Sequence, residues 1–318
     1  MSIRIGFGLL NYPFDNAAAF FRWVELLERG RVDSLWQSDR LISTDPYLES
    51  LSALASLCGC TERIKFGMNA IVMPLRDPLV LAKQCATIDF LSNGRLLPMF
   101  GVGYPQAAEW AATGRDAEHR GSIANEMFEL IARLWNEEAV DFEGRYFKYR
   151  NATIAPRPVQ QPLPLWIGGT SDAAVKRTAR LGTGWIGGIA SAAEVRTTIE
   201  AIKAEAARVG RRIDDDHFGT SLAYRIGSPE DDEVRHSPFV KRTGIGPGID
   251  VNPLFCIGST ADLVQRLRDY VAAGASKFVL FPLARGEPDM ARQTRLVIEQ
   301  VMPQIEDRAH PRTPAALP

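Results

Sequence analysis

Histidine and cysteine are both scarce in this chain, four of each among 318 residues. The cysteines, Cys58, Cys60, Cys85 and Cys256, form no paired CxxC spacing. A zinc centre or a redox disulfide therefore has little to stand on, no metal site is expected, and the thiols read as reduced, packed side chains. Charge of one sign is also missing: 37 Lys and Arg face 38 Asp and Glu, a net charge of −1 spread along the chain. Binding to nucleic acid by phosphate neutralisation is excluded on that balance. No stretch approaches the ~20 uninterrupted apolar residues of a membrane span. The opening MSIRIGFGLLNYPF is too short an apolar run for a signal segment and lacks a small-residue cleavage site, so a cytoplasmic location is expected.

What is present is an alternation of short apolar strands and amphipathic helices. Strands are expected at residues 3–9, 33–37, 64–72, 96–102, 165–168, 184–187, 218–225 and 277–281. Helices are expected at 17–28, 47–58, 79–90, 107–112, 123–136, 173–181, 192–209, 261–273 and 291–304. Alternation around Glu143-Gly144 predicts a β-hairpin over 140–150 as an excursion. Eight strand–helix pairs in one chain predict a (β/α)₈ barrel with insertion loops at the C-terminal face of the strands, one domain over residues 1–308. An open doubly wound sheet is the competing architecture. Residues 227–253, rich in Gly, Pro and charge, read as one long loop on the catalytic face, compatible with a substrate lid or with disorder. Residues 309–318 are expected to be a disordered tail.

In a barrel, function belongs at the strand C-termini. Those positions hold Asn11 and Tyr12, Ser38, Asp39 and Arg40, Asn69 and Ala70, and Gly101, Val102, Gly103 and Tyr104. They continue with Gly168, Gly169, Thr170 and Ser171, then Trp185, Gly188 and Arg225. The rim is glycine- and hydroxyl-bearing, has few carboxylates and has no histidine. Glycines let the backbone approach a flat ring closely, although Gly101 and Gly103 are equally compatible with a tight turn. In WIGGTSDAAVKRTAR, Thr170 and Ser171 open a helix whose N-terminus suits an anion, and Ser171 is also a plain N-cap. Asp172 in the first turn counts against a bound phosphate unless it turns away.

The segments VDSLWQSDR (32–40), RDPLVLAKQCATIDFLSNGR (76–95), EWAATG (109–114), PRPVQQPLPLWIGGTS (156–171) and ARLGTGW (179–185) resemble the bacterial luciferase-like superfamily. That superfamily holds flavin-dependent monooxygenases and oxidoreductases dependent on the deazaflavin coenzyme F420. The resemblance runs over residues 3–301. It implies an oxidoreductase with the ring across the barrel mouth, against Met68, Asn69, Ala70 and the turn of Gly101, Val102, Gly103 and Tyr104. A bulged third strand, sometimes with a non-proline cis peptide, belongs to the same expectation. Gly168, Gly169, Thr170 and Ser171 match the cofactor-phosphate position, and Arg76, Asp77 and Pro78 carry structural roles. Many members have Asp-His after strand two, where this chain has Asp39-Arg40. Arginine is no general acid or base near neutral pH but clamps anions well, which leaves Asp39, Arg40, Glu109 and Tyr104 as the catalytic candidates. The working expectation is a two-component monooxygenase using reduced FMN and O₂ on a small organic substrate, with a separate flavin reductase as partner. An F420-dependent dehydrogenase or reductase is the alternative, and a non-catalytic flavin-binding barrel a third. The resemblance also implies a homodimer, for which the small-residue segment 51–59 is a candidate contact as well as ordinary barrel packing.

Overall fold

The computed structural model describes residues 2–10, 12–237, 240 and 254–305. Its elements run β1 (Arg4–Leu9), α1 (Ala17–Arg29), β2 (Ser34–Gln37), α2 (Ser50–Leu57), β3 (Lys65–Met68), β4 (Ile71–Val72) and α3 (Pro78–Leu91). They continue β5 (Leu96–Leu97), β6 (Met99–Gly101), α4 (Ala108–Thr113), α5 (Arg120–Asn136), β7 (Val140–Glu143), β8 (Lys148–Ala152), β9 (Trp166–Ile167), α6 (Asp172–Leu181) and β10 (Gly184–Ile189). Last come α7 (Ala192–Arg208), β11 (Phe218–Ile226), α8 (Asp232–Arg235), β12 (Cys256–Gly258), α9 (Thr260–Ala272), β13 (Lys277–Pro282), α10 (Gly286–Leu296) and α11 (Met302–Ile305).

Parallel pairing closes a ring. β13 pairs with β1, β1 with β2 and β2 with β3. The third and fourth strands are each split, and both halves pair, β3 with β5 and β4 with β6. From β6 the ladder passes through β9, β10 and β11 back to β13. The open-sheet alternative is therefore ruled out. β7 and β8 form the expected antiparallel hairpin outside the ring.

Near-continuous apolar strands make sense because both faces of the sheet are covered. On β13, Phe278 and Leu280 pack toward the helices, while Val279 and Phe281 join Trp36, Met99, Trp166 and Ile186 inside the barrel. Helix starts are set by local chemistry. Asn16 accepts from Ala19 N at 3.0 Å, Asp77 caps α3 with Pro78 in its first turn, and Ser191 with Glu194 forms a capping box on α7. Within segment 51–59, Leu51, Ala53, Leu54 and Leu57 pack into the chain's own core. Among the described residues no helix is long and apolar enough to cross a membrane.

Three expectations need correcting. Residues 64–72 form not one strand but two, β3 and β4, on either side of a cis peptide between Asn69 and Ala70, which agrees with the interrupted third strand that the family resemblance implies. The stretch after β11 is not structureless throughout: α8 lies within it, and β12 follows, paired with the end of β11. The final helix begins at Gly286 rather than near 291, with Glu287 and Asp289 in its first turn, and it widens into a π turn at Val297–Val301. Asn11, residues 241–253 of the expected lid, and the tail 309–318 lie outside the described residues.

The N-terminal end of the barrel is plugged by an ion pair. Lys277 bonds Asp33 and sits 5.9 Å from the Trp36 ring centroid. Burial pushes the Asp33 carboxyl up, but the Lys277 and Lys65 charges outweigh it and hold the group below the usual carboxylate range. Asp33→Asn leaves the Lys277 ammonium without its partner, so stability falls by about 3–5 kcal/mol, read as a lower denaturant midpoint at pH 7. A depressed native value also means that this contribution is present above about pH 4 and is lost as pH falls further. The asparagine variant lacks that part of the acid sensitivity, and identical pH profiles for the two proteins would contradict the assignment.

Candidate active site

A cleft of about 1500 Å³ opens at the C-terminal ends of the strands. Its floor is made by Asn69, Ala70, Met99, Gly101, Val102 and Gly103, with Ile186, Gly188 and Ile189 across from them. Of the expected ring-contacting residues only Met68 is absent from this lining, and it is fully buried. Asn69 is fixed at both ends: its backbone N–H donates to Gln37 O at 2.9 Å and its Nδ2 to Ser221 Oγ at 2.9 Å.

The floor is positioned by Asp39. Its carboxylate accepts from Arg76 Nη1 and Nη2, both at 2.7 Å, from Val72 N at 2.9 Å, and from Ser50 Oγ at 3.3 Å. Burial works against the Arg76 charge, yet bonds to Asp39 and Glu49 keep its pKa above the ordinary arginine value. With that many donors Asp39 is a positioning residue, tying the end of β2 to β4 and α2. The rest of the 76–95 block is scaffold as well. Asp77 caps α3, Asp89 receives Gln160 through N and Nε2, and Arg95 donates to the carbonyls of Thr61 and Ile64.

Val72 in turn sets the next turn. Gly103 has φ +68°, and a Cβ there would stand 2.7 Å from Val72 Cγ1, so this glycine is demanded by sterics as well as by backbone conformation. Tyr104 follows with its side chain 80% exposed at the lip, and its carbonyl accepts from Trp110 Nε1 at 2.7 Å. Arg40 and Glu109 meet across the mouth, Arg40 Nε lying 3.6 Å from Glu109 Oε1.

The residues expected at the cofactor phosphate lie at the start of α6. Gly168, Gly169, Thr170 and Ser171 all line the cleft. Gly169 adopts φ +100° and its carbonyl accepts from Trp185 Nε1, which places that buried indole behind the turn rather than in the mouth. Ser171 is the N-cap of α6, accepting from Ala174 N at a long 3.3 Å. Two arginines that sequence reasoning did not single out line the same cleft. Arg177, 7% exposed, stacks on Phe128 and donates from Nε to Asn125 Oδ1. Among the described residues it has no carboxylate partner, and burial lowers its pKa. Arg120 opens α5, lines the same cleft, and keeps a buried Nε without a partner among the described residues. Arg177 was visible in the sequence as a cation on the helix stripe it shares with Ala174 and Thr178. Arg120 was not, because the helix was expected only from residue 123, and the structure is what places this cation at the helix N-terminus, where the dipole disfavours it.

Arg225, expected at the rim, is buried in a carboxylate cage of Asp231, Glu233 and Asp289 at 2.6–2.9 Å, where it clamps α8 to α10. Asp214, Asp216 and His217 bring possible metal-ligand atoms within 4.8 Å of one another, but just before β11, at the opposite end of the barrel from the cleft.

A closed parallel barrel with a glycine-lined cleft at the C-terminal ends of its strands defines a TIM-barrel protein, and two arginines stand at one end of that cleft. Residues 3–245 match the model of the luciferase-like monooxygenase family, and the chain belongs to that family. Among curated relatives, the F420-dependent glucose-6-phosphate dehydrogenase of Kineococcus radiotolerans is 32% identical over 171 residues, 51% of this chain and 50% of that protein. The match thus spans about half the length of this relative. Among solved structures, the monooxygenase RslO1 from Streptomyces bottropensis aligns with a TM-score of 0.82 at 21% identity, over 95% of this chain and 99% of that one. An F420-dependent secondary alcohol dehydrogenase in complex with an F420-acetone adduct aligns with a TM-score of 0.80 at 16% identity, over 96% and 100%. The chain is thus an oxidoreductase-family barrel with flavin-type and F420-type neighbours.

The Val72–Gly103 contact gives a direct check. Gly103→Ala lowers stability by about 1–3 kcal/mol, from the left-handed backbone and the Cβ clash together. Adding Val72→Ala recovers the steric part, seen as a partial return of the thermal midpoint. No recovery in the double variant would contradict the contact.

Proposed function

We propose that the protein is a two-component flavin monooxygenase that takes reduced FMN and O₂ to a small organic substrate. The observation that carries this reading is Arg177, a buried guanidinium with no carboxylate partner among the described residues, beside the open N-terminus of α6. A terminal phosphate bears nearly two negative charges at neutral pH. Two guanidinium groups, the Thr170 and Ser171 hydroxyls and a helix N-terminus suit that charge better than they suit the single charge of a phosphodiester.

The residues fit such a cofactor along its length. Arg177, Arg120, Thr170 and Ser171 would hold the phosphate, and the Asn69–Ala70 and Gly101–Gly103 segments would lie against the ring. Bound in reduced form, the flavin supplies the electrons for oxygen activation. The chain's own part is to orient and to exclude water. Leu10, Ile186, Ile189, Phe255 and Phe281 give the cleft an apolar wall, and none of its lining residues is a histidine. A separate reductase delivering reduced FMN, and a homodimeric assembly, complete the proposal.

The second reading, hydride transfer with F420, is favoured by the 32% identity to the F420-dependent glucose-6-phosphate dehydrogenase over about half of each chain. Titration separates the two. FMN quenches at lower concentration than F420 if the first reading holds, and the reverse order supports the second. Arg177→Met weakens FMN binding by about 10- to 100-fold, the value of a charge-assisted contact, while riboflavin, which lacks the phosphate, binds both proteins alike. Equal loss for FMN and riboflavin would remove the phosphate assignment.

A further inference from the structure

Glu109 and Arg40 meet in the cleft as a loose ion pair, and each keeps a buried polar atom without a hydrogen-bond partner among the described residues. Glu109, 3% exposed in the first turn of α4, has an Oε2 that receives no hydrogen bond among the described residues. Arg40 Nε is also buried and unpartnered among them, and at 3.6 Å from Glu109 Oε1 it stands beyond hydrogen-bond distance. Both residues line the cleft. Their surroundings are otherwise satisfied: Asp39 next in sequence is saturated by Arg76, Val72 and Ser50, and Trp110 Nε1 beside Glu109 donates to Tyr104 O. A buried acceptor and a buried donor left unmade carry a cost that a ligand with complementary atoms removes. The same pair penalises a ligand lacking those atoms, which is how a site built for hydrogen bonding discriminates.

We propose that Arg40 and Glu109 form a bracket for the substrate's polar handle, a neutral group presenting an acceptor beside a donor, such as a carboxamide or a hydroxyl next to a carbonyl. The handle's acceptor takes the Arg40 Nε–H, and its donor gives to Glu109 Oε2. A carboxylate ligand satisfies Arg40 but sets its own charge against Glu109. A hydrocarbon satisfies neither. The inference deepens the reading of this cleft as a substrate pocket and rests on it.

Benzamide, benzoate and toluene are flat probes of similar size that differ only in this handle. In ligand-observed NMR titrations of the full chain, benzamide binds about tenfold or more tighter than either of the others. Glu109→Leu and Arg40→Met each abolish that preference. Glu109→Gln keeps an acceptor but drops the charge, so benzamide is retained and benzoate rises toward it. Should the leucine variant fail to fold, the glutamine and methionine variants carry the test. Benzoate binding the unmodified protein as tightly as benzamide does, or a benzamide preference that survives Arg40→Met, overturns the bracket. FMN titration of the same samples is read separately. FMN binding without a benzamide preference removes the bracket and leaves the cofactor reading, and a benzamide preference without FMN binding does the reverse.

Discussion

The Asp39 carboxylate holds together pieces of chain that the barrel's own hydrogen-bond ladder leaves apart. Strand three breaks at Asn69 and Ala70, and strand four is split between β5 and β6. The outer halves of these strands need an anchor besides their mutual pairing. Asp39 supplies it by accepting from Val72 N on β4 and from both terminal nitrogens of Arg76. Val72 then stands against Gly103 and so fixes the turn after β6. Three segments of the cleft, the ends of β2, β4 and β6, are in this way referred to one buried ion pair. Buried pairs contribute little net stability compared with apolar packing. Their value here is geometric: a bidentate arginine fixes direction as well as distance.

Charge is used differently in the cleft itself. Arg76, Arg95 and Arg225 are spent on protein carboxylates or carbonyls, whereas Arg177 and Arg120 meet no carboxylate among the described residues. Arg40 and Glu109 meet without closing a hydrogen bond. Satisfied groups make the scaffold, and the unpartnered atoms of Arg40, Glu109 and Arg120 are the ones we propose a ligand meets. Between these two polar ends the lining is glycines and apolar side chains, among them Met99, Ile186, Phe255 and Phe281.

The barrel was legible because period-2 and period-3.6 patterns alternated with clean stops, and the hairpin at β7 and β8 was legible from its turn. The turn at Gly169–Ser171 was legible as a strand running into a helix capped by Ser171. Other features were not. The break at Asn69 and Ala70 leaves no mark in the periodicity and was expected only from the family resemblance, and β12 is too short for any periodicity to show. Asp39 reads in sequence as a catalytic carboxylate, since nothing local shows that Arg76, distant in the chain, will occupy it. Arg225 misleads in the same way, because its three partners come from two separate helices. Arg177 was readable in principle as a cation on an apolar helical stripe, but polarity on such a stripe draws notice only once the helix's neighbours are known.

We propose that the cationic cradle at α6 receives the phosphate of a flavin whose ring lies on the floor fixed by Asp39. A crystal structure of the protein soaked with FMN tests it most directly. The account predicts the phosphate within hydrogen-bond distance of Ser171 and the Arg177 guanidinium, with the ring over Ala70 and Gly101. A phosphate bound elsewhere, with Arg177 still turned to Asn125 and the cradle empty, would contradict it.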